Sequence, residues 1–194
     1  MKYKVASFIS IIFNPFLLGG LIIPLLSFHS TGEITEALKW TAISIAISIV
    51  PVLGLIIFMV RQKRLSGMFD NPRQQRYLIY ILSSLLAGLS VIVVRAGHAP
   101  HLLQTAFLTG FVAIIIFMTI NFFWKISLHT AFISASATVL TIIYGAWGAF
   151  AFLGLPAVAW SRIELNQHTP GQVLAGMFCA AAITVGIFWK AGYI

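Results

Sequence analysis

Seven apolar stretches run through this chain of 194 residues, at about 5–27, 38–60, 77–95, 102–123, 129–147, 149–162 and 171–189. About 20 apolar residues are what one helix needs to cross the hydrocarbon core of a bilayer. A backbone in lipid must also satisfy its own polar groups, which a helix does within one segment. The chain is therefore expected to be all-α, a polytopic transmembrane helical bundle of six to seven spans. It is read as a single integral membrane domain, 1–194, because no linker or repeat divides it. Composition agrees, with 60% apolar and 8% charged residues against roughly 25% charged in soluble domains. Lys2 and Lys4 precede an apolar run to about Leu26. That run is long for a signal-peptide core and lacks a small-x-small cleavage pattern, so it reads as a first span. Asn14-Pro15, Gly19-Gly20 and Pro24 predict a kink or a partly re-entrant course there. Gly145-Ala146-Trp147-Gly148 separates the fifth stretch from a short sixth.

The acids number four: Glu33, Glu36, Asp70 and Glu164. That argues against a two-Mg²⁺ diphosphate site or a carboxylate proton relay. The single cysteine, Cys179, excludes an intrachain disulfide. A net charge of +8 in a membrane protein points to anionic lipid headgroups or an anionic substrate, and not to nucleic acid. Counting spans places the N-terminus, 61–76, Trp124-Lys125 and Ser161–His168 on one side. Nine basic residues lie there (Lys2, Lys4, Arg61, Lys63, Arg64, Arg73, Arg76, Lys125 and Arg162), against Lys39, Arg95 and Lys190 on the other. The positive-inside rule makes the richer side cytoplasmic, in what is expected to be a prokaryotic-type cell membrane.

None of the five histidines lies mid-span, which disfavours a di-haem bundle. His29, His98 and His101 read as interfacial loop residues. His129 and His168 differ, since each is expected at a helix start, on one membrane face, beside cations. Two helix N-termini, Lys125 and Arg162 would together make an anion site. Two histidines at a phosphate can divide the labour, one attacking phosphorus and the other protonating the leaving oxygen. Interfacial anchoring at helix ends is the bland alternative.

Ser161-Arg162, five residues, then His168 resembles the third signature of the type-2 phosphatidic acid phosphatase superfamily, Ser-Arg-x5-His-x3-Asp. Ile126-Ser127-Leu128-His129 resembles the second, Pro-Ser-Gly-His. The resemblance covers about 60–190, the region expected to form a phosphatase-like core. It implies His168 as the nucleophile that becomes phosphohistidine and His129 as the general acid. It also implies Arg162, Ser127 and Ser161 around the phosphate, with no metal or cofactor. Of the first signature, Lys-x6-Arg-Pro, only a basic loop with Arg73 and Arg76 is left: Phe69 stands at the lysine position and Tyr77 at the proline. Lys125 is positioned to supply the missing cation. Leu128 replaces the glycine, and Gln172 replaces the aspartate that orients the nucleophile. Gln172 can still accept a hydrogen bond one helical turn on, without negative charge. The pattern Lys-x-Ser-x-His with His-Thr-x-x-Gln is similar to degenerate members of that superfamily.

Arg61, Lys63 and Arg64 read as a lipid-facing basic cluster, and Asp70 as a partner for Arg73 or Arg76. Glu164 reads as a rim residue. The expected function is an integral-membrane lipid phosphatase acting on a phospholipid or an isoprenoid phosphate or diphosphate. The alternative is a non-catalytic protein that binds or carries an anionic lipid on the same fold. The expected partners are a lipid phosphate substrate and membrane lipids. Oligomeric state, headgroup and tail are not fixed by the sequence.

Overall fold

A computed structural model of the chain describes residues 1–68 and 71–194. Among the described residues every secondary-structure element is a helix, with no strand. The α-helices are α1 (Lys2–Ile12), α2 (Pro15–Ser30), α3 (Ile34–Arg61), α4 (Arg76–Ala96), α5 (His101–Phe123), α6 (Leu128–Tyr144), α7 (Ala146–Ala149), α8 (Gly154–Glu164) and α9 (Pro170–Lys190).

Five helical stretches are long and apolar enough to cross a membrane: Lys2–Ser30, Ile34–Arg61, Arg73–Ala96, His101–Phe123 and Pro170–Lys190. The protein is an integral membrane protein on that ground. At 1.5 Å per residue α9, with 21 residues, is about 31 Å long, the thickness of the hydrocarbon core. α6 has 17 residues and is shorter, about 25 Å. The sixth apolar stretch is not one helix: it is divided among the four-residue α7, a 3-10 turn over Phe150–Leu153 and the 11-residue α8.

The chain divides into two compact units. A terminal unit comprises 1–18 and 125–194, and a central unit comprises 19–124. In the terminal unit α6 packs on α9, α1 on α8, and α8 on both α6 and α9. Its core joins Leu18, Ile133, Leu155 and Val158, with Ile9, Phe13 and Met177 against them. Small residues let α6 and α9 approach closely, as membrane helices require. A Cβ on Gly176 would lie 2.6 Å from the Ser127 carbonyl oxygen, so only glycine fits. Ser134 Oγ donates to the Met177 carbonyl across the same seam, at 2.8 Å.

The first span is broken, as its Asn-Pro pair predicts. Asn14 is buried. Its Oδ1 accepts from the Phe16 and Leu17 N–H groups at 2.9 and 3.0 Å, capping α2. Its Nδ2 donates to the Ile11 carbonyl at the end of α1. Pro15 then occupies the first helical position, where its missing N–H costs nothing. Gly19, Gly20 and Pro24 lie inside a continuous α2.

The central unit packs α3 on α4 and α4 on α5. Ser90 Oγ donates to the Ile47 carbonyl at 3.1 Å, and the Trp40 ring lies over Gly97. The basic loop before α4 is ordered where described: Ser66 N–H and Oγ both donate to Gln75 Oε1, and Asn71 exchanges hydrogen bonds with the Gly67 backbone.

Four helices end alike. After α3, α4, α8 and α9 the chain enters the left-handed region at Lys63, His98, Asn166 and Gly192, with φ of 55, 55, 54 and 82°. Each ending carries the paired Schellman hydrogen bonds, for α8 Asn166 N–H to the Ile163 carbonyl and Gln167 N–H to the Arg162 carbonyl.

Candidate functional site

The terminal unit gathers three segments of the signature residues at one end. The first is the start of α6. Ser127 is the N-cap, its Oγ accepting from the Thr130 N–H at 3.5 Å. Its hydroxyl thus holds the helix start, and its own N–H reaches the Gln172 carbonyl of α9 at 3.4 Å. Thr130 Oγ1 donates across to the Val173 carbonyl at 3.2 Å. Just before the cap, Lys125 Nζ donates to the Gln167 carbonyl at 2.8 Å. These bonds tie 125–130 to 167–173. His129 lies in the first turn of α6.

The second segment is the end of α8. Ser161 and Arg162 are both buried, and Ser161 Oγ bonds back to the Val158 carbonyl of its own helix at 3.0 Å. The Schellman turn at Asn166 then reverses the chain. It brings the His168 N–H to 3.2 Å from the Arg162 carbonyl. Asparagine tolerates the left-handed conformation better than other non-glycine residues, so the turn that presents His168 beside Arg162 is encoded at position 166. Glu164 closes α8 half-exposed.

The third segment is the start of α9. His168 sits two residues before the helix, Thr169 is the N-cap and Pro170 the first helical residue. Thr169 and Gln172 form a capping box: Gln172 N–H meets Thr169 Oγ1 at 3.4 Å, and Thr169 N–H donates to Gln172 Oε1 at 3.2 Å. That same oxygen lies 3.2 Å from His168 Nδ1. A backbone N–H can only donate, so the amide atom facing Thr169 is the oxygen. An amide oxygen can only accept, so His168 Nδ1 must carry the proton. In neutral His168 the lone pair is therefore on Nε2.

Burial sharpens the site. Arg162 is 1% exposed, His129 4% and His168 9%. The two buried imidazoles stand where α6 and α9 present their positive ends, and the buried guanidinium belongs to the residue whose carbonyl meets the His168 N–H. Such a place favours an anion. Among the described residues no three histidine, cysteine or acidic side chains come together as a metal site would need.

Arg73 and Arg76 belong to the central unit. The Arg73 guanidinium donates to the Phe122 carbonyl, and Asn121 Nδ2 reaches the Arg73 carbonyl at 3.4 Å, so Arg73 closes the end of α5. Arg76 lies over the Tyr80 ring, 5.5 Å from its centroid. Phe69 and Asp70, and with them the expected pairing of Asp70 with either arginine, lie outside the described residues. His29 ends α2, His98 is the left-handed residue after α4, and His101 opens α5.

Sequence reasoning missed three contributors. Thr169 was legible, because Thr-Pro-x-Gln before an apolar run is a capping-box pattern. Asn166 offered a weaker signal as an asparagine after a helix. Ser10, which accepts a 2.6 Å hydrogen bond from Arg162 Nη1, is one serine in an apolar segment and carried none. The chain matches no family model, no curated protein and no solved structure.

Chemically, the arrangement offers an imidazole held through Nδ1, a second imidazole in the first turn of α6, a buried guanidinium, and a lysine just before α6. Those groups suit attack on, and charge stabilisation of, a tetrahedral oxyanion such as phosphate.

Proposed function

We propose that the protein is an integral-membrane lipid phosphatase working without a metal, of the type-2 phosphatidic acid phosphatase kind. The observation that carries the reading is the contact of His168 Nδ1 with a Gln172 oxygen already fixed by the Thr169 N–H. It leaves Nε2 as the nucleophilic atom and holds the ring by its other edge, as an activated nucleophile requires.

His168 Nε2 attacks phosphorus of a lipid phosphate monoester or diphosphate. In a monoester the bond from phosphorus to the lipid oxygen breaks and that oxygen takes a proton from His129; in a diphosphate the terminal phosphorus is attacked, its bond to the bridging oxygen breaks, and the lipid monophosphate leaves. Water then attacks the phosphohistidine, giving its proton to His129, and the phosphorus–nitrogen bond breaks to release inorganic phosphate. Arg162 and Lys125 balance the charge on the phosphoryl oxygens, with the N-terminal amides of α6 and α9. An apolar tail enters from lipid between helices. The active-site end faces the cytoplasm, as nine basic residues against three argue. α1 runs antiparallel to α8, Phe13 beside Gly154 and Ser10 beside Arg162. Lys2 and Lys4 thus continue toward the site end.

The test is phosphate release from phosphatidic acid and from farnesyl diphosphate by purified protein without Mg²⁺, with labelled phosphate trapped on His168. Tight binding of both lipids with no release and no adduct would replace this reading with the non-catalytic lipid-binding one. That alternative draws on Gln172, which gives the imidazole no negative charge.

A further inference from the structure

Arg162 is the largest of the fully buried side chains, and one of its bonds crosses 152 positions of sequence. Its Nη1 donates to Ser10 Oγ at 2.6 Å, a short charge-assisted bond between α8 and α1. Ser10 is itself 7% exposed. The face that α1 buries is otherwise largely apolar: Ala6 is fully enclosed, and Ile9 and Phe13 pack on the core of Leu155 and Val158, with Ser7 half-buried one turn before Ser10. The one buried hydroxyl of α1 thus stands opposite the one buried guanidinium of this unit. Ser10 also lies in the last turn of α1, which ends at Ile12 because Asn14 breaks the span. A helix C-terminus favours a cation. A guanidinium is a planar fork, so fixing one nitrogen and the stem fixes the plane in which the remaining donors point.

We infer that Ser10 is a positioning residue for the phosphate site: α1 orients the Arg162 fork toward the phosphoryl oxygens through this hydroxyl. The inference rests on the phosphatase reading of the same site. It makes the N-terminal helix a working part of the site, whereas a lipid anchor would need no such bond.

The experiment uses the full chain, purified in mixed micelles. Turnover of phosphatidic acid is followed by phosphate release, and orthovanadate, a phosphate analogue, is titrated by calorimetry so that binding is read without turnover. Ser10→Ala should raise KM for phosphatidic acid and weaken vanadate binding about tenfold, the scale of one lost hydrogen bond to a charged group, with kcat changed by less than about threefold. Ser10→Thr, which keeps the oxygen, should restore both. Ser10→Cys keeps the shape with only a weak acceptor and should follow Ser10→Ala, so a poorly folding alanine variant does not end the test. If Arg162→Lys weakens vanadate binding while Ser10→Ala and Ser10→Cys bind as wild type, the positioning role is overturned and the phosphatase reading stands. If wild-type protein neither binds vanadate nor releases phosphate, or if Arg162→Lys behaves as wild type, the phosphatase reading falls and this inference with it.

Discussion

The terminal and central units have similar composition and opposite ways of holding helices together. In the central unit long helices meet mainly through apolar side chains. Cross-helix polar ties there are spread out, Ser90 to Ile47 and Ser84 to Met118 along the helices and Arg73 to Phe122 and Asn121 to Arg73 at one end. The buried hydroxyls of Ser44, Tyr80 and Ser83 find no partner among the described residues. In the terminal unit shorter helices are joined near the site by three side chain to backbone bonds, Lys125 to Gln167, Thr130 to Val173 and Ser134 to Met177, and by one between side chains, Arg162 to Ser10. In lipid, apolar contact between helices gains little, so close packing and hydrogen bonds decide which helices associate rigidly. The lesson is that hydropathy marks what enters the membrane, while sparse polar residues mark which part is built to a fixed geometry.

The largest effect that would break this contrast is at the proposed nucleophile. His168→Ala should abolish phosphate release and the covalent adduct, and retention of wild-type turnover would show the terminal unit to be merely well packed. Next, His129→Ala should slow turnover by roughly 10²–10⁴-fold, the range for a lost general acid, and less for a diphosphate substrate whose leaving group is already acidic. Packing is tested by a matched pair. Gly176→Leu must displace the Ser127 carbonyl and should lower stability by about 1–3 kcal/mol and activity with it. A Cβ on Gly54 in α3 meets no atom within 4 Å, so Gly54→Leu should lose no stability and gain up to about 1 kcal/mol of helix propensity. Thermal unfolding in detergent measures both.

Two smaller effects sharpen the comparison. Asn166→Val forces a β-branched residue to φ 54° and should cost about 1–2 kcal/mol, with a raised KM because His168 shifts. Asn166→Gly should keep both values. Gln172→Glu keeps the reach to His168 Nδ1 and to the Thr169 N–H while adding charge. A carboxylate favours imidazolium, so a nucleophile that must be neutral loses activity from the acid side first. The acid limb of kcat/KM should move up by roughly one pH unit. Gln172→Asp is shorter by one methylene and should satisfy only one of the two donors. If Gln172→Glu and Gln172→Ala both leave the pH profile unchanged, Gln172 is not in the site.

Most helix boundaries were legible, because lipid demands long apolar segments and charge ends them. Asn14-Pro15 announced the break in the first span, and the Gly145–Gly148 run announced the close turn at α7, where a Cβ on Gly148 would overlap the Leu140 carbonyl. The signature residues His129, Arg162 and His168 were legible as a set because charge in an apolar chain is scarce. The division into two units was not legible, since apolar periodicity is the same whether a face meets lipid or another helix. Ser10 was hidden for a related reason: a lone serine costs little in a membrane helix and carries no local pattern. Position 149–162 was read as one segment because hydropathy sees composition and misses the 3-10 turn at Phe150–Leu153.

The bond between Ser10 and Arg162 also sets a timetable for biogenesis. α1 leaves the ribosome before its packing partner α8, with about 140 residues between them. At 5–20 residues per second that interval is roughly 7–30 s. Until then the apolar stripe of Ala6, Ile9 and Phe13, with Ser10 in its midst, has no α8 to cover it. The site end of the terminal unit can be completed only after α8 and α9 have been made. A nascent chain halted before Gly154 would hold an inserted α1 without α8, exposed to whatever quality control reads loose helices in the bilayer.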